Sequence, residues 1–395
     1  MAGRVAPYID NTGLVFAYDQ ANIVRSYLGE PTTNTVGQLN SFSALDLYTW
    51  ASSGNTSTWS RDTTAPLSPV KGIPLKEISS GTDSYSSTYN NTVNNISAAS
   101  SGQTWTVSVY ALAAAGTNIQ VWIFGANSSG NYIELNVNAF TATGVWQRIS
   151  VTMTFTNGST AAVQARVATA TNGGVIWWDG LQMEQKTKAT QFTTGTRSVT
   201  QGLKDLTGRS TIDLSNVSFD SNAQPTWDGT DDQIAVTGFT QPTDPNIYSV
   251  EAVVKLYTHN PGTNIGSVIV NNYSSLYGWI FYLNGPLSYL GIRHHDGASG
   301  GYDLVYGTGI NLNQFYHIVA TDDKTTVRLY LNGIQVASRA SATALNYSGQ
   351  PTIGQFGGNF AVTNGEIPVV KIYNKTLTAS EIQQNFNAVR GRYGI

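Results

Sequence analysis

The chain has 395 residues, enough for two or three domains rather than one small core, and only 11% of them are charged, with a formal net charge of −3. Solubility therefore rests on hydroxyl and amide groups, and without a Lys/Arg cluster nothing concentrates a phosphate backbone around the protein, so nucleic acid is excluded as an expected partner. With no cysteine the fold has neither disulfides nor thiolate metal sites, and stability has to come from apolar burial.

In chain order, residues 1–12 lack the apolar stretch of a secretory signal, and nowhere does an 18-residue apolar run occur, so neither a leader nor a membrane contact is expected. Val5, Pro7, Tyr8 and Ile9 instead suggest an extended arm whose edge could pair with a neighbour, with Val5, Tyr8 and Ile9 as candidate docking residues. Residues 13–29 read as a strand ending in Asp19. From 36 to 197 a separate β pattern runs. Residues 104–110 alternate with Trp105, Val107 and Val109 on one face; residues 119–124 alternate with Ile119, Val121 and Ile123 on one face and Trp122 and Phe124 on the other. Residues 144–155 and 175–184 continue it. Further strands fall at 225–236 and 248–256, and 288–306 reads as a hairpin with an exposed loop.

The apolar run from Phe315, the polar break at Thr321, Asp322, Asp323 and Lys324, and the alternating Val327, Leu329 and Leu331 ending at Asn332-Gly333 predict consecutive antiparallel strands with tight turns. Residues 365–386 predict one more strand and a short helix, started by Thr378 as N-cap with Glu381 three residues on. No other stretch carries a helical period. The fold class is thus all-β: two antiparallel sandwiches with a short C-terminal helix.

The 315–336 hairpins followed by the 365–386 strand and helix resemble the laminin-G-like, concanavalin A-like jelly rolls, as do residues 13–29, with Asp19, Asn22, Ser26 and Tyr27. The family's next turn has its counterpart only at Asp205–Gly208, on the far side of residues 36–197. The resemblance therefore implies a discontinuous jelly roll, 13–35 plus 198–395, carrying an inserted domain at 36–197. That insert resembles the carbohydrate-binding jelly rolls of polysaccharidases and phage tail proteins, through Trp59 to Asp62, Ala65-Pro66, Gly144 to Arg148 and Trp178 to Glu184. The two resemblances imply a bacteriophage virion surface protein, a capsid decoration or a collar, tail or head fibre, whose partners are other virion proteins and cell-surface or environmental glycans, as a homo-oligomer on the particle. The alternative is an accessory glycan-binding protein of a polysaccharide-degrading system, which would require secretion.

Sugar rings offer an apolar C–H face with hydroxyls at the edge, so a glycan site combines an aromatic platform with Asn, Asp or Gln. Trp105 and Trp146 fall in register with core positions. Trp177 and Trp178 are strand neighbours and point to opposite faces, so one is core and the other a candidate. Trp122, opposite the Ile/Val stripe, is a second candidate, and Trp50 lies in polar surroundings. No cofactor is expected beyond a structural calcium at Asp228, Asp231 and Asp232, whose spacing around Gly229 fits hard-oxygen ligation but fits an ordinary Asp/Gly turn better. His294 and His295 are adjacent and point apart, which disfavours a metal and favours a solvated loop. Retaining glycosidases of this sandwich class place catalytic carboxylates on alternate residues of one strand; Glu134, Glu251 and Glu366 each have apolar or amide residues at the required positions, so catalysis is not expected.

Overall fold

The computed structural model describes residues 11–36, 49–50, 58–70, 74–78, 84–87, 97–169, 173–260, 266–274, 277–284, 289–297, 302–307, 310–341, 349–358 and 360–395. The chain divides into two compact units, Pro31–Ser198 (the continuous unit) and Met1–Glu30 with Val199–Ile395 (the split unit).

In the split unit, two antiparallel sheets enclose one core. The first runs in the order Ser218–Phe219, Pro225–Asp228, Asn364–Tyr373, Ile247–Leu256, Phe315–Asp323, Thr326–Leu331, Ile334–Ala340, with Leu14–Asp19 also paired to Asn364–Tyr373. The second runs Thr211–Asn216, Gln233–Thr237, Thr352–Ile353, Ser267–Ser274, Tyr277–Asn284, Tyr289–Asp296, Tyr302–Gly307. Alternation sends Tyr316, Ile318 and Ala320 inward to meet Phe16, Trp227, Tyr248, Trp279 and Phe281. Asn332 and Gly333 both have positive φ, 49° and 82°, the backbone that a two-residue hairpin turn demands. The preceding turn is narrower than the sequence suggests. Thr321 and Asp322 remain in the strand, fully buried, and Lys324 takes the positive φ of 73°. Likewise, His294 is in a strand rather than a solvated loop: it is buried, 2.6 Å from the Tyr248 hydroxyl, and burial pushes its pKa down to about 3.

The first sheet is covered on its other face by helix α1, Ala379–Tyr393. Thr378 and Glu381 form the full reciprocal capping box, and Gly394 closes the helix in the left-handed conformation. Ile382 packs on Val319, Tyr330, Tyr373 and Leu377, and Val389 on Val253 and Val369. Beneath the helix lies a buried polar network. Glu251 accepts from Lys371 Nζ at 2.5 Å and from Asn385 Nδ2 at 2.7 Å, with His317 Nε2 at 3.2 Å. Thr378→Ala is expected to lower stability by about 1 kcal/mol, read as a shift in the urea midpoint with an unchanged m-value.

The continuous unit has the same construction. One sheet runs Tyr132–Thr141, Asn118–Ala126, Ala162–Thr169, Ser84–Ser87, Thr49–Trp50, with Ser97–Ala98 also on Ala162–Thr169; the other runs Gln147–Thr154, Thr104–Ala113, Val175–Glu184, Leu75–Ile78, Thr58–Arg61. Their shared core includes Trp105, Val107, Val109, Ile119, Val121, Ile123 and Trp178. Thr32–Thr33 pairs with Thr196–Arg197, so the two ends of this unit lie side by side, the geometry in which a segment can occupy a loop of another domain. Asn136 and Asn138 from the edge strand Tyr132–Thr141 donate to the carbonyls of Thr152 and Ser150 in the opposite sheet, which ties one side of the sandwich shut. Among the described residues, no helix is long and apolar enough to cross a membrane.

Candidate functional site

In the strand Asn118–Ala126, Ile119, Val121 and Ile123 fill the core, which turns Trp122 and Phe124 to the outer face of the sheet. The register places Val137 and Arg166 beside Trp122, and Leu135 and Gln164 beside Phe124. The Trp122 and Phe124 rings are parallel within 6° at 5.8 Å, and Phe124 meets Tyr132 at 4.8 Å. The Arg166 guanidinium, on the same outer face, lies over the Phe124 ring at 4.7 Å from its centre and 5.8 Å from that of Tyr132, a cation–π contact that helps cover Phe124. Trp122 is half-buried, and its Nε1 donates to Gln120 Oε1 at 3.1 Å, which fixes the indole. Gln164 is buried, and its Nε2 has no hydrogen-bond partner among the described residues. Tyr132, Leu135 and Val137 stay exposed along one side. Phe124 is itself buried, so the face offers half-buried Trp122 and exposed Tyr132, an apolar border and the Gln120 amide, the combination that suits the C–H face and hydroxyl edge of a sugar.

The other sequence candidates land elsewhere. Trp178 is corrected: it is fully buried, and its Nε1 donates to the buried Glu77 at 2.9 Å, so it is a core side chain and no platform. Trp177 points outward from the second sheet, not from the Trp122 face. It is half-buried, bonded to Asp62 at 2.9 Å and overlain by the Lys76 ammonium at 5.7 Å, so one ring face is already covered. Hydrogen bonds from Thr64 and Trp177 hold Asp62 at a pKa of about 2. The backbone of Trp50 is in register with Tyr85, and through it with Ala168 and Gln120, the row next to Trp122; its side chain lies outside the described part of the structure. Val5, Tyr8 and Ile9 lie outside the described residues. Arg166 and Gln164 are absent from the sequence reading, although the Gln/Arg alternation against Val163, Ala165 and Val167 was the available signal.

Asp228, Asp231 and Asp232 do converge, with carboxylate oxygens all within 4.8 Å of one another. That donor set fits a hard cation such as calcium. Yet Asp232 is buried and already accepts from the backbone N–H groups of Ser218 at 2.7 Å and Asp228 at 2.6 Å, and Gly229 takes φ 84° between them. These backbone bonds are those of an Asp/Gly turn. Burial first, and then the charge of Asp228, raise the pKa of Asp232.

Residues 228–383, within the split unit, match the model of the concanavalin A-like lectin/glucanases superfamily. This part of the chain is similar to concanavalin A-like domains. Among solved structures, the binding domain of botulinum neurotoxin serotype D is similar at 15% identity, over 48% of this chain and 49% of that one, with a TM-score of 0.39. The type G receptor binding domain stands at 16% identity, 48% and 49% coverage and a TM-score of 0.39. Domain 4 of AbnA, an extracellular arabinanase from Geobacillus stearothermophilus solved with arabinotriose, is 18% identical over 48% of this chain and 92% of its own, with a TM-score of 0.37. The matched region spans about half the length of the toxin binding domains. No curated protein matches the chain in sequence. In the split unit, the sheet face turned away from the core is taken by α1, whereas in the continuous unit an outward sheet face carries Trp122.

Proposed function

We propose that the protein is a non-enzymatic, lectin-like surface protein that binds glycans on the Trp122 face of its continuous unit, and that it serves on a bacteriophage virion. The observation that carries the binding reading is the outward Trp122 indole, held by Gln120 and stacked on buried Phe124, with exposed Tyr132 beside it. The non-enzymatic reading is supported by what holds the carboxylates. Glu134 is engaged by Thr156, Asn157 and Thr160, Glu251 by Lys371 and Asn385, and Glu366 by Lys255. The virion reading rests on the weakly charged, hydroxyl-rich composition and on the family resemblances of both units. Capsid, collar or tail proteins are its proposed neighbours, and a homo-oligomer its proposed state on the particle.

The test is a glycan array probed with the full-length chain and with Trp122→Ala. The wild type is expected to bind a defined saccharide class, and the variant to lose at least about tenfold in affinity, or about 1.4 kcal/mol, while its circular dichroism is unchanged. Equal binding by both proteins would remove the shelf from the reading, and release of reducing ends from any polysaccharide would overturn the non-enzymatic assignment.

A further inference from the structure

The split unit contains a cavity of about 410 Å³ that none of the preceding argument uses. Two of its deepest lining residues, Ala17 and Lys371, face each other across adjacent strands, and both are almost fully buried. Small Ala17 leaves the depth open above the sheet. The Lys371 ammonium is bonded to Glu251 on the neighbouring strand, so its stem rather than its free charge floors the cavity. Arg25 and Arg209 line the cavity from its exposed side, and neither guanidinium has a carboxylate partner among the described residues. The lining carboxylate, Asp19, is already paired with Arg392 at 2.8 Å.

Both arginines are presented by fixed backbone. Asp205 accepts from the N–H groups of Ala17, Thr207, Arg209 and Ser210, which pins the turn bearing Arg209 to the strand beneath it. Asn22 accepts from the Arg25 N–H at 3.0 Å. In a chain with fewer cations than anions, 21 against 24, two guanidiniums without a carboxylate partner among the described residues make a local excess of positive charge on one cavity, because the Lys371 charge is matched by Glu251. We propose that this cavity is an oxyanion site that takes a phosphate or sulfate group, with Arg25 and Arg209 as forked donors at its mouth.

Isothermal titration of the full chain with inorganic phosphate and, separately, inorganic sulfate at constant ionic strength tests this. Saturable binding of one or both anions is expected, weakened at least about tenfold in Arg25→Gln/Arg209→Gln and unaffected by Trp122→Ala. Binding of phosphate alone would assign phosphate esters as the ligand, and of sulfate alone sulfate esters. Because both arginines are solvent-facing, the double variant should keep the wild-type thermal midpoint. Absence of saturable binding of either anion, or binding that survives the double substitution, overturns the proposal.

Discussion

Replacing Glu251 by Ala is expected to destabilise the split unit by about 3–5 kcal/mol, because it leaves the Lys371 ammonium buried without its counter-charge and Asn385 without its acceptor. The loss should appear as a lower urea midpoint in the transition of this unit, with the continuous unit unaffected. The same network makes stability depend on acid. Burial alone would raise the pKa of Glu251, but Lys371 and then His317 outweigh it and hold the carboxyl at about 2. A folded value below the unfolded value of roughly 4.3 means that the ionised form stabilises the fold. That contribution, on the order of 3 kcal/mol, is present above about pH 4.5 and is lost as pH falls toward 2. Glu251→Gln should therefore start lower and show a flatter stability profile between pH 5 and pH 3 than the wild type. Parallel profiles would remove Glu251 as the source of the acid sensitivity.

Trp178→Ala is expected to cost the continuous unit about 3–5 kcal/mol. The indole is fully buried in the core, and its loss both opens a large cavity and strips the buried Glu77 of a donor. Trp122→Ala, on the open face, should shift the same transition far less while it removes binding. The two substitutions thus separate structural from functional tryptophan: large destabilisation for Trp178 with little for Trp122. The reverse order would contradict the assignment of faces.

Local signals in the sequence carried most of the secondary structure. The Asn332-Gly333 pair has the backbone its composition demands, Thr378 and Glu381 cap α1, and the Ile119/Val121/Ile123 stripe is core while Trp122 faces outward. Which of Trp177 and Trp178 is buried could not be read. Alternation fixes that they oppose each other, and the choice of face is set by pairing with distant strands, in a segment whose register shifts between Asp179 and Gln182. Gln164 and Arg166 stand out as the outward row by alternation against Val163, Ala165 and Val167; that they are nonetheless buried is set by pairing with distant strands, which no local pattern shows. The Glu251, His317, Lys371 and Asn385 network joins residues from three strands and a helix, and no local pattern announces such a meeting. The acidic cluster was legible as spacing, but not that Asp232 is occupied by backbone donors.

The central claim is that a sugar ring lies on the aromatic shelf of the continuous unit. A crystal structure of the full chain with the best saccharide from the array tests it most directly. The account predicts a pyranose or furanose ring stacked on Trp122, with hydroxyls within hydrogen-bond reach of the Gln120 amide. A saccharide bound elsewhere, with the Trp122 face bare, would contradict it.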